Sequence, residues 1–447
     1  MDIHVVRAGE TVSSVAARYG VPAGILAGVN GVAPDAPLAV GQTLVVRHPR
    51  ELHTVASGES VYSIALRYGL SVRTLYQNNP ALGGRSALYP GQTLVIAYDD
   101  TPTRTLAVNA YSYPFIRGGL LDAALPYLTY LTPFTYGINA DGTLLPLADE
   151  WLLAAAGQYR TAALMHLSTL TEEGRFDNAR STLILEDADA QDALVQSILE
   201  TVQARHYFGL DVDFEYVLPE QREAYAAFIT RLREALNPLG CPVIVALAPK
   251  TSAAQRGLLY EAHDYALLGA AANAVFLMTY EWGYTYGPPM AVAPLGQVRA
   301  VLDYALTAVA PEKIFMGIPL YGYDWPLPFV SGETRAESLS PVQAVGVVVI
   351  GGLRGRVVLN GNVVAQSTPS GSRMRAALRP SSASRTNTIC RAWGTGILHV
   401  PFPRTGRCSP RSLISRRFSK RASRWPLPPR LPRPAPSRRK GACRPRS

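Results

Sequence analysis

Residues 208–215 read Phe-Gly-Leu-Asp-Val-Asp-Phe-Glu, which sets Asp211, Asp213 and Glu215 at i, i+2 and i+4 in an otherwise apolar run. Alternate residues of a β-strand face the same side. The three carboxylates therefore share one face, and Leu210, Val212 and Phe214 take the other. Buried charge is costly unless it is paired or used. Neighbouring carboxylates repel and drive their pKa values apart, so one of them can keep a proton near neutral pH and act as an acid. Cleavage of a glycosidic bond needs such an acid. The competing explanation is a solvated edge strand with an acidic stripe. Against it stand the apolar opposite face and Gly209 at the strand's start, which fit a strand buried on both sides.

The surrounding sequence supplies elements to position such a strand. Strand-like apolar runs recur at Leu106–Tyr111, Leu128–Tyr136, Thr161–Leu167, Gly209–Glu215, Val243–Leu247, Ala274–Tyr280 and Ile314–Leu320. Helix-like segments such as Ala190–Arg205 and Gln221–Leu236 lie between them. Alternation of strand and helix implies a parallel sheet with crossover helices. Seven runs fit strands 1 to 7 of a (β/α)8 barrel over residues 105–344, with the acidic octet as strand 4. Such barrels carry their sites at the C-terminal strand ends, where Glu215 stands. No clear eighth strand follows Glu337, which would leave unpaired edges on strands 1 and 7.

The first hundred residues are an internal repeat. His4-Val5-Val6-Arg7-Ala8-Gly9-Glu10-Thr11-Val12 returns as His53-Thr54-Val55-Ala56-Ser57-Gly58-Glu59-Ser60-Val61. Asn30 returns as Asn79, and Gly41–Val45 as Gly91–Val95. A period near 50 marks duplicated modules. Each copy fits a βααβ unit: a strand, a helix capped by Thr11 or Ser60, a glycine stop at Gly20 or Gly69, a second helix ending near Asn30 or Asn79, and a closing strand. The units span 1–48 and 51–97. Residues 98–104 are polar, contain a proline and fit a linker.

The formal charge of +10 conceals two unlike parts. Residues 1–337 hold all 33 acidic side chains against 21 basic ones, a balance of −12. From Ser338 to Ser447 there are 22 Lys and Arg and no acid. Arg-rich segments suit phosphate binding. This one, however, has only two Lys, little periodicity, and three of the four cysteines (Cys390, Cys408, Cys443). The composition fits a GC-rich gene translated out of frame from near Val345–Gly352. Residues 345–447 are thus expected to be an anomalous basic tail without compact structure that says nothing about partners. Nucleic acid and membrane are not expected partners. The start of the chain lacks the pattern of a secretory signal, and no run is apolar enough to span a membrane. No His/Cys ligand cluster or phosphate-binding glycine loop appears, so neither metal nor cofactor is expected.

The octet resembles the D-G-x-D-x-D-x-E signature of glycoside hydrolase family 18, the chitinase-like enzymes, with Phe208 at the first Asp position. Phe276–Trp282 looks like the family's strand-6 Met-Thr-Tyr-Asp segment, with Glu281 for Asp, and Met316–Gly322 looks like its strand 7. The repeats resemble LysM domains, which bind N-acetylglucosamine-containing glycans. Among family members the chain looks most like LysM-bearing spore-cortex N-acetylglucosaminidases. The resemblance implies a retaining mechanism in which the substrate's own acetamido oxygen is the nucleophile. Glu215 would be the acid and then the base, Asp213 would orient the acetamido group, Asp211 would share a proton with Asp213, and Tyr280 would bond the acetamido oxygen. Tyr111, Glu281, Trp282 and Tyr321 would bind substrate. In the repeats, Gly9, Glu10, Thr11, Asn30, Gly58, Glu59, Ser60 and Asn79 would serve glycan binding. The implied setting is a monomer on the spore coat, cortex or cell wall, made in the mother cell. Two rivals remain. A non-catalytic glycan-binding protein on a truncated barrel is favoured by the missing last strand and opposed by Glu215. A chitinase acting on fungal or insect chitin is opposed by the absent secretory signal. The family's last strand carries a Trp that floors the sugar pocket; Trp393 and Trp425 fall in the tail, and neither takes that role.

Overall fold

The computed structural model describes residues 1–100, 105–171, 173, 175–350, 355–359, 362–366 and 395–399. Two βααβ units come first. In one, β1 (Asp2–Val5), α1 (Val12–Tyr19), α2 (Ala23–Asn30) and β2 (Thr43–Val46) follow in order, with β1 antiparallel to β2. In the other, β3 (Pro49–Thr54), α3 (Val61–Arg67), α4 (Val72–Asn78) and β4 (Thr93–Tyr98) repeat the plan. Thr11 with Ser14, and Ser60 with Ser63, form reciprocal capping boxes that start α1 and α3. Gly20 closes α1 in the left-handed conformation. Val12, Val15, Leu26 and Leu44 form one small core, and Val61, Ile64, Leu75 and Leu94 the other. The repeats meet through Val29, Val45, Val95 and Tyr98, with the Arg47 guanidinium 3.5 Å over the Tyr98 ring.

The barrel elements run β5 (Val108–Ser112), α5 (Gly118–Ala124), β6 (Tyr130–Pro133), β7 (Gly137–Ile138), β8 (Leu144–Leu145), α6 (Glu150–Gln158), β9 (Ala162–Ser168), α7 (Asn178–Glu186), α8 (Ala188–Arg205), β10 (Gly209–Asp213), α9 (Arg222–Leu236), β11 (Val243–Leu247), α10 (Tyr265–Ala271), β12 (Ala274–Leu277), α11 (Leu295–Ala308) and β13 (Ile314–Pro319). Strands β5, β6, β9, β10, β11, β12 and β13 are parallel neighbours in that order, matching the seven expected staves. On β10, Leu210 and Val212, with Phe214 just beyond, join the apolar layer of Ile198, Val202, Phe228 and Leu232 from α8 and α9. That layer leaves the acids facing the barrel interior. Gly209 is required by close approach: a Cβ there would stand 2.6 Å from the Pro242 carbonyl oxygen. Phe208 stacks on Tyr130 at the N-terminal end of the strands, 5.5 Å between centroids.

Beyond β13 come β14 (Gly322–Pro326), β15 (Glu337–Leu339), α12 (Pro341–Ile350), β16 (Gly355–Leu359), β17 (Asn362–Gln366) and β18 (Thr395–His399). An antiparallel sheet forms in the order β15-β14-β16-β17. Strand β18 lies between β13 and β5, antiparallel to both, and closes the barrel. The edges expected to be unpaired are therefore paired, although not by a parallel eighth stave. The expectation of a tail without compact structure is corrected for these three strands, and the remainder of the tail lies outside the described residues. The physical reason is local. Val357-Val358, Val363-Val364 and Ile397-Leu398 are short β-prone runs, and open sheet edges offer them unpaired backbone groups.

The second repeat is clamped to the barrel. Arg73 donates to the carbonyls of Pro126 (2.7 Å), Tyr159 (3.3 Å) and Leu128. Gln77 donates to Pro126 as well (2.8 Å), and the Tyr159 hydroxyl to the Gly84 carbonyl (3.1 Å). Pro126–Leu128 and Tyr159 precede β6 and β9, so the clamp sits at the end of the barrel opposite Glu215. No single described helix is long and apolar enough to cross a membrane.

Candidate active site

Strand β10 hands its acids to the C-terminal rim. The ladder ends at Asp213, and the chain turns through Glu215 into Tyr216, whose φ is 57°. Glu281, beyond the end of β12, also has positive φ, at 68°. Both are sparsely populated conformations for residues with a side chain, and such strain clusters at working sites. Asp211 is fully buried and accepts a hydrogen bond from the Tyr111 hydroxyl at 2.6 Å. Asp213 is 7% exposed, and its Oδ2 lies 3.7 Å from Nε2 of His166. The Oδ1 atoms of Asp211 and Asp213 are buried with no hydrogen-bond partner, which favours the protonated, neutral form.

The electrostatics follow. Burial pushes Asp211 up to about 7, opposed by the Tyr111 hydrogen bond. Asp213 is held well above the usual carboxylate range by burial and by the charges of Glu215 and Asp211. Burial, then the Glu281 charge, raises Glu215 to about 7. Three carboxyls this close titrate as a group and retain protons at neutral pH. The Tyr280 phenol is pushed well above its ordinary value, by burial first and then by the Asp213 and Glu215 charges, so it stays a donor. Glu281 accepts from the hydroxyls of Tyr321 and Tyr323, the latter at 3.0 Å. Together these groups can deliver a proton to one side of a bound bond and hydrogen-bond a polar group beside it.

Two histidines complete the surroundings, and the sequence reading missed both. His166 sits beside Asp211 in the β9–β10 register, with Nδ1 2.6 Å from the Thr135 hydroxyl. Burial lowers it to about 3, so it is neutral. It is the one ionisable residue in the apolar run Ala162–Leu167, a signal that was available. Nδ1 of His263 accepts the Ala248 N–H at 2.8 Å, so Nε2 carries the proton and donates to the Phe214 carbonyl at 3.0 Å. His263 therefore locks the residue before Glu215 to the end of β11. Its segment carries no periodic signal.

The structure brings Asp211, Asp213, Glu215 and Tyr280 together, with Glu281 and Tyr321 joined beside them. Trp282 is half-buried and packs against the main core cluster. Tyr111 is 7% exposed and its hydroxyl donates to Asp211, which orients that acid. Several repeat residues are likewise engaged within the fold. Asn30 donates to the Leu26 and Val45 carbonyls and accepts the Val45 N–H, all at 2.7–2.9 Å, and Asn79 repeats this with Leu75 and Val95. Glu10 binds the Arg7 N–H, His4 and Arg18, and Glu59 binds the Ala56 N–H, His53 and Arg67. Thr11 and Ser60 are helix caps, and Gly9 and Gly58 hold turns at φ 80° and 82°. These side chains build the repeats; the polar atoms of the buried asparagines are wholly engaged inside the fold.

A barrel whose fourth parallel stave carries three proton-holding carboxyls to the C-terminal rim is the architecture of a glycosidase. The model for glycosyl hydrolases family 18 matches residues 171–345, and the LysM domain model matches 4–47 and 53–97. The chain is 37% identical over 355 residues to a cortical fragment-lytic enzyme of Bacillus subtilis (strain 168), covering 77% of this chain and 80% of that one. The crystal structure of the Bacillus cereus spore cortex-lytic enzyme SleL matches with a TM-score of 0.64 and 36% identity, over 79% of this chain and 82% of that one. The Bacillus megaterium QM B1551 SleL structure matches at 0.60 and 32%, over 78% and 82%. The chain belongs to the LysM-containing branch of glycosyl hydrolases family 18.

Proposed function

We propose that this protein hydrolyses N-acetylglucosaminyl bonds in spore-cortex peptidoglycan, with its LysM repeats holding the glycan. The carrying observation is the position and protonation of Glu215: rim-placed, half-buried, held at about 7, with Asp213 and Tyr280 acting electrostatically on the same site. Glu215 donates its proton to the glycosidic oxygen as the bond to the anomeric carbon breaks. The substrate's acetamido oxygen attacks that carbon from the other face, giving a cyclic intermediate. Asp213 orients the acetamido group by accepting a hydrogen bond from its N–H, and Asp211 stands behind it, held neutral by burial. The Tyr280 hydroxyl donates to the acetamido oxygen. Ionised Glu215 then takes a proton from water, whose oxygen opens the ring with retention. The relatives' names place them at the spore cortex, and the same location is proposed for this chain. The Glu215→Gln variant should lose about 10²–10⁴-fold in release of reducing sugar from cortex fragments while still being retained on insoluble peptidoglycan. Near wild-type release would remove Glu215 from the acid role.

A further inference from the structure

We infer that His166, backed by Thr135 and Ser168, is a positioning residue for Asp213: its Nε2–H holds one carboxyl oxygen and leaves the other to meet the substrate's acetamido N–H. The inference deepens the proposed hydrolysis and rests on it for the identity of that N–H. Strand β9 lies beside β10, with His166 in register with Asp211 and Ser168 with Asp213. Nε2 of His166 lies 3.7 Å from Asp213 Oδ2, while Asp213 Oδ1 is buried without a hydrogen-bond partner. A movement of less than about 1 Å brings the first pair within the usual N–H···O range. No lysine or arginine among the described residues pairs with Asp213, and His166 stands within ion-pair reach of it. Tyr111 supports Asp211 and His166 faces Asp213, so the two acids behind Glu215 have separate supports.

The far side of the ring sets the tautomer. Thr135 Oγ1 lies 2.6 Å from Nδ1, the shortest contact of that hydroxyl, and 3.0 Å from Ser168 Oγ. A 2.6 Å separation suits an O–H donor better than an N–H donor. Ser168 Oγ accepts the Leu170 N–H at 3.3 Å. A backbone N–H can only donate, whereas a hydroxyl both accepts and donates. The series Leu170, Ser168, Thr135, Nδ1 is satisfied with each hydroxyl donating onward, which leaves the ring proton on Nε2, toward Asp213. The ring cannot swing away: it is 1% exposed, meets the Tyr111 ring edge-on at 5.2 Å and lies 4.8 Å from the Phe134 ring. A buried imidazole is costly unless both nitrogens are used, and these face a hydroxyl and an acid.

Tautomer and kinetics are read separately. The full chain is labelled with nitrogen-15 in its 7 histidine rings, and the His166 signals are identified by their loss in His166→Gln. At neutral pH, Nε2 should carry the proton and Nδ1 none. On cortex fragments, His166→Leu should lose about 10–100-fold in kcat with KM within about twofold, since misplacing Asp213 harms the transition state more than binding. His166→Gln, which returns an N–H near the Nε2 position, should recover about tenfold of that loss, and Thr135→Val, which keeps the ring, should lose about tenfold. A proton on Nδ1 overturns the inference, whether or not the chain hydrolyses anything and whether or not His166→Leu folds. Unchanged kcat in His166→Leu, or equal losses in the Leu and Gln variants, overturns it as well. The expected tautomer in a wild-type chain that releases no reducing sugar sinks the hydrolase and leaves the hold on Asp213 standing.

Discussion

The residue scale is governed by protons. Asp211 has an ordinary value of 3.8 and is raised to about 7 by burial. Its neutral form therefore stabilises the fold fully below about 4, and that contribution is lost as pH rises through 7. Asp211→Asn keeps an acceptor for the Tyr111 hydroxyl and cannot ionise. Its melting temperature should exceed that of the wild type at pH 8, by the equivalent of about 4 kcal/mol, and the gap should close toward pH 4. A gap that widens on acidification would show that the carboxyl is not held neutral. His263 acts through geometry instead. His263→Ala strands the Ala248 N–H and the Phe214 carbonyl and loosens the turn carrying Glu215. On cortex fragments, kcat should fall about 10–100-fold with KM within about twofold, because misplacement harms the transition state more than binding. A rise in KM alone would remove its positioning role.

At the scale of elements, the sequence was legible where apolar runs are uninterrupted, and its errors cluster at the rim. The run Gly209–Glu215 reads as one strand, but the ladder stops at Asp213; Ala274–Tyr280 reads as one strand, but pairing stops at Leu277. Apolar patterning reports burial rather than pairing, and rim residues stay buried after the hydrogen bonds end. Those overruns hold Glu215 and Tyr280. The repeats were legible in outline because they are duplicated, but the internal hydrogen bonds of Asn30 and Glu10 were not. A recurring polar residue looks the same in sequence whether it faces a ligand or the backbone. The clamp between modules left no local pattern at all, since Arg73 reaches carbonyls more than fifty positions away. Arg73→Ala removes hydrogen bonds from a charged donor, each worth about 1.5–3 kcal/mol. Calorimetry should then resolve the repeats and the barrel as separate transitions. A single unchanged transition would show that the clamp carries no coupling.

For the whole molecule, two compositions share one polypeptide. The family match ends at residue 345, and the last acidic residue is Glu337. Beyond it the chain supplies β-prone runs that fill the barrel's open edges, with β18 running against the parallel staves instead of with them. Parallel closure of a barrel needs a preceding crossover helix, whereas an antiparallel filler needs only a short run that reaches the gap. We propose translation out of frame from near codons 345–352, which would account for the loss of acids, the Arg-Pro-Ser composition and the reversed stave together. Resequencing codons 340–355 should therefore find a reading-frame break. The frame-restored chain should regain acidic residues after 350, melt several degrees higher and resist protease through its C-terminal third, because a selected parallel stave packs against β5 and β13 as the filler cannot. A gene that reads through this interval in a single frame would overturn the interpretation and make the basic tail, with its antiparallel stave, a native part of the protein.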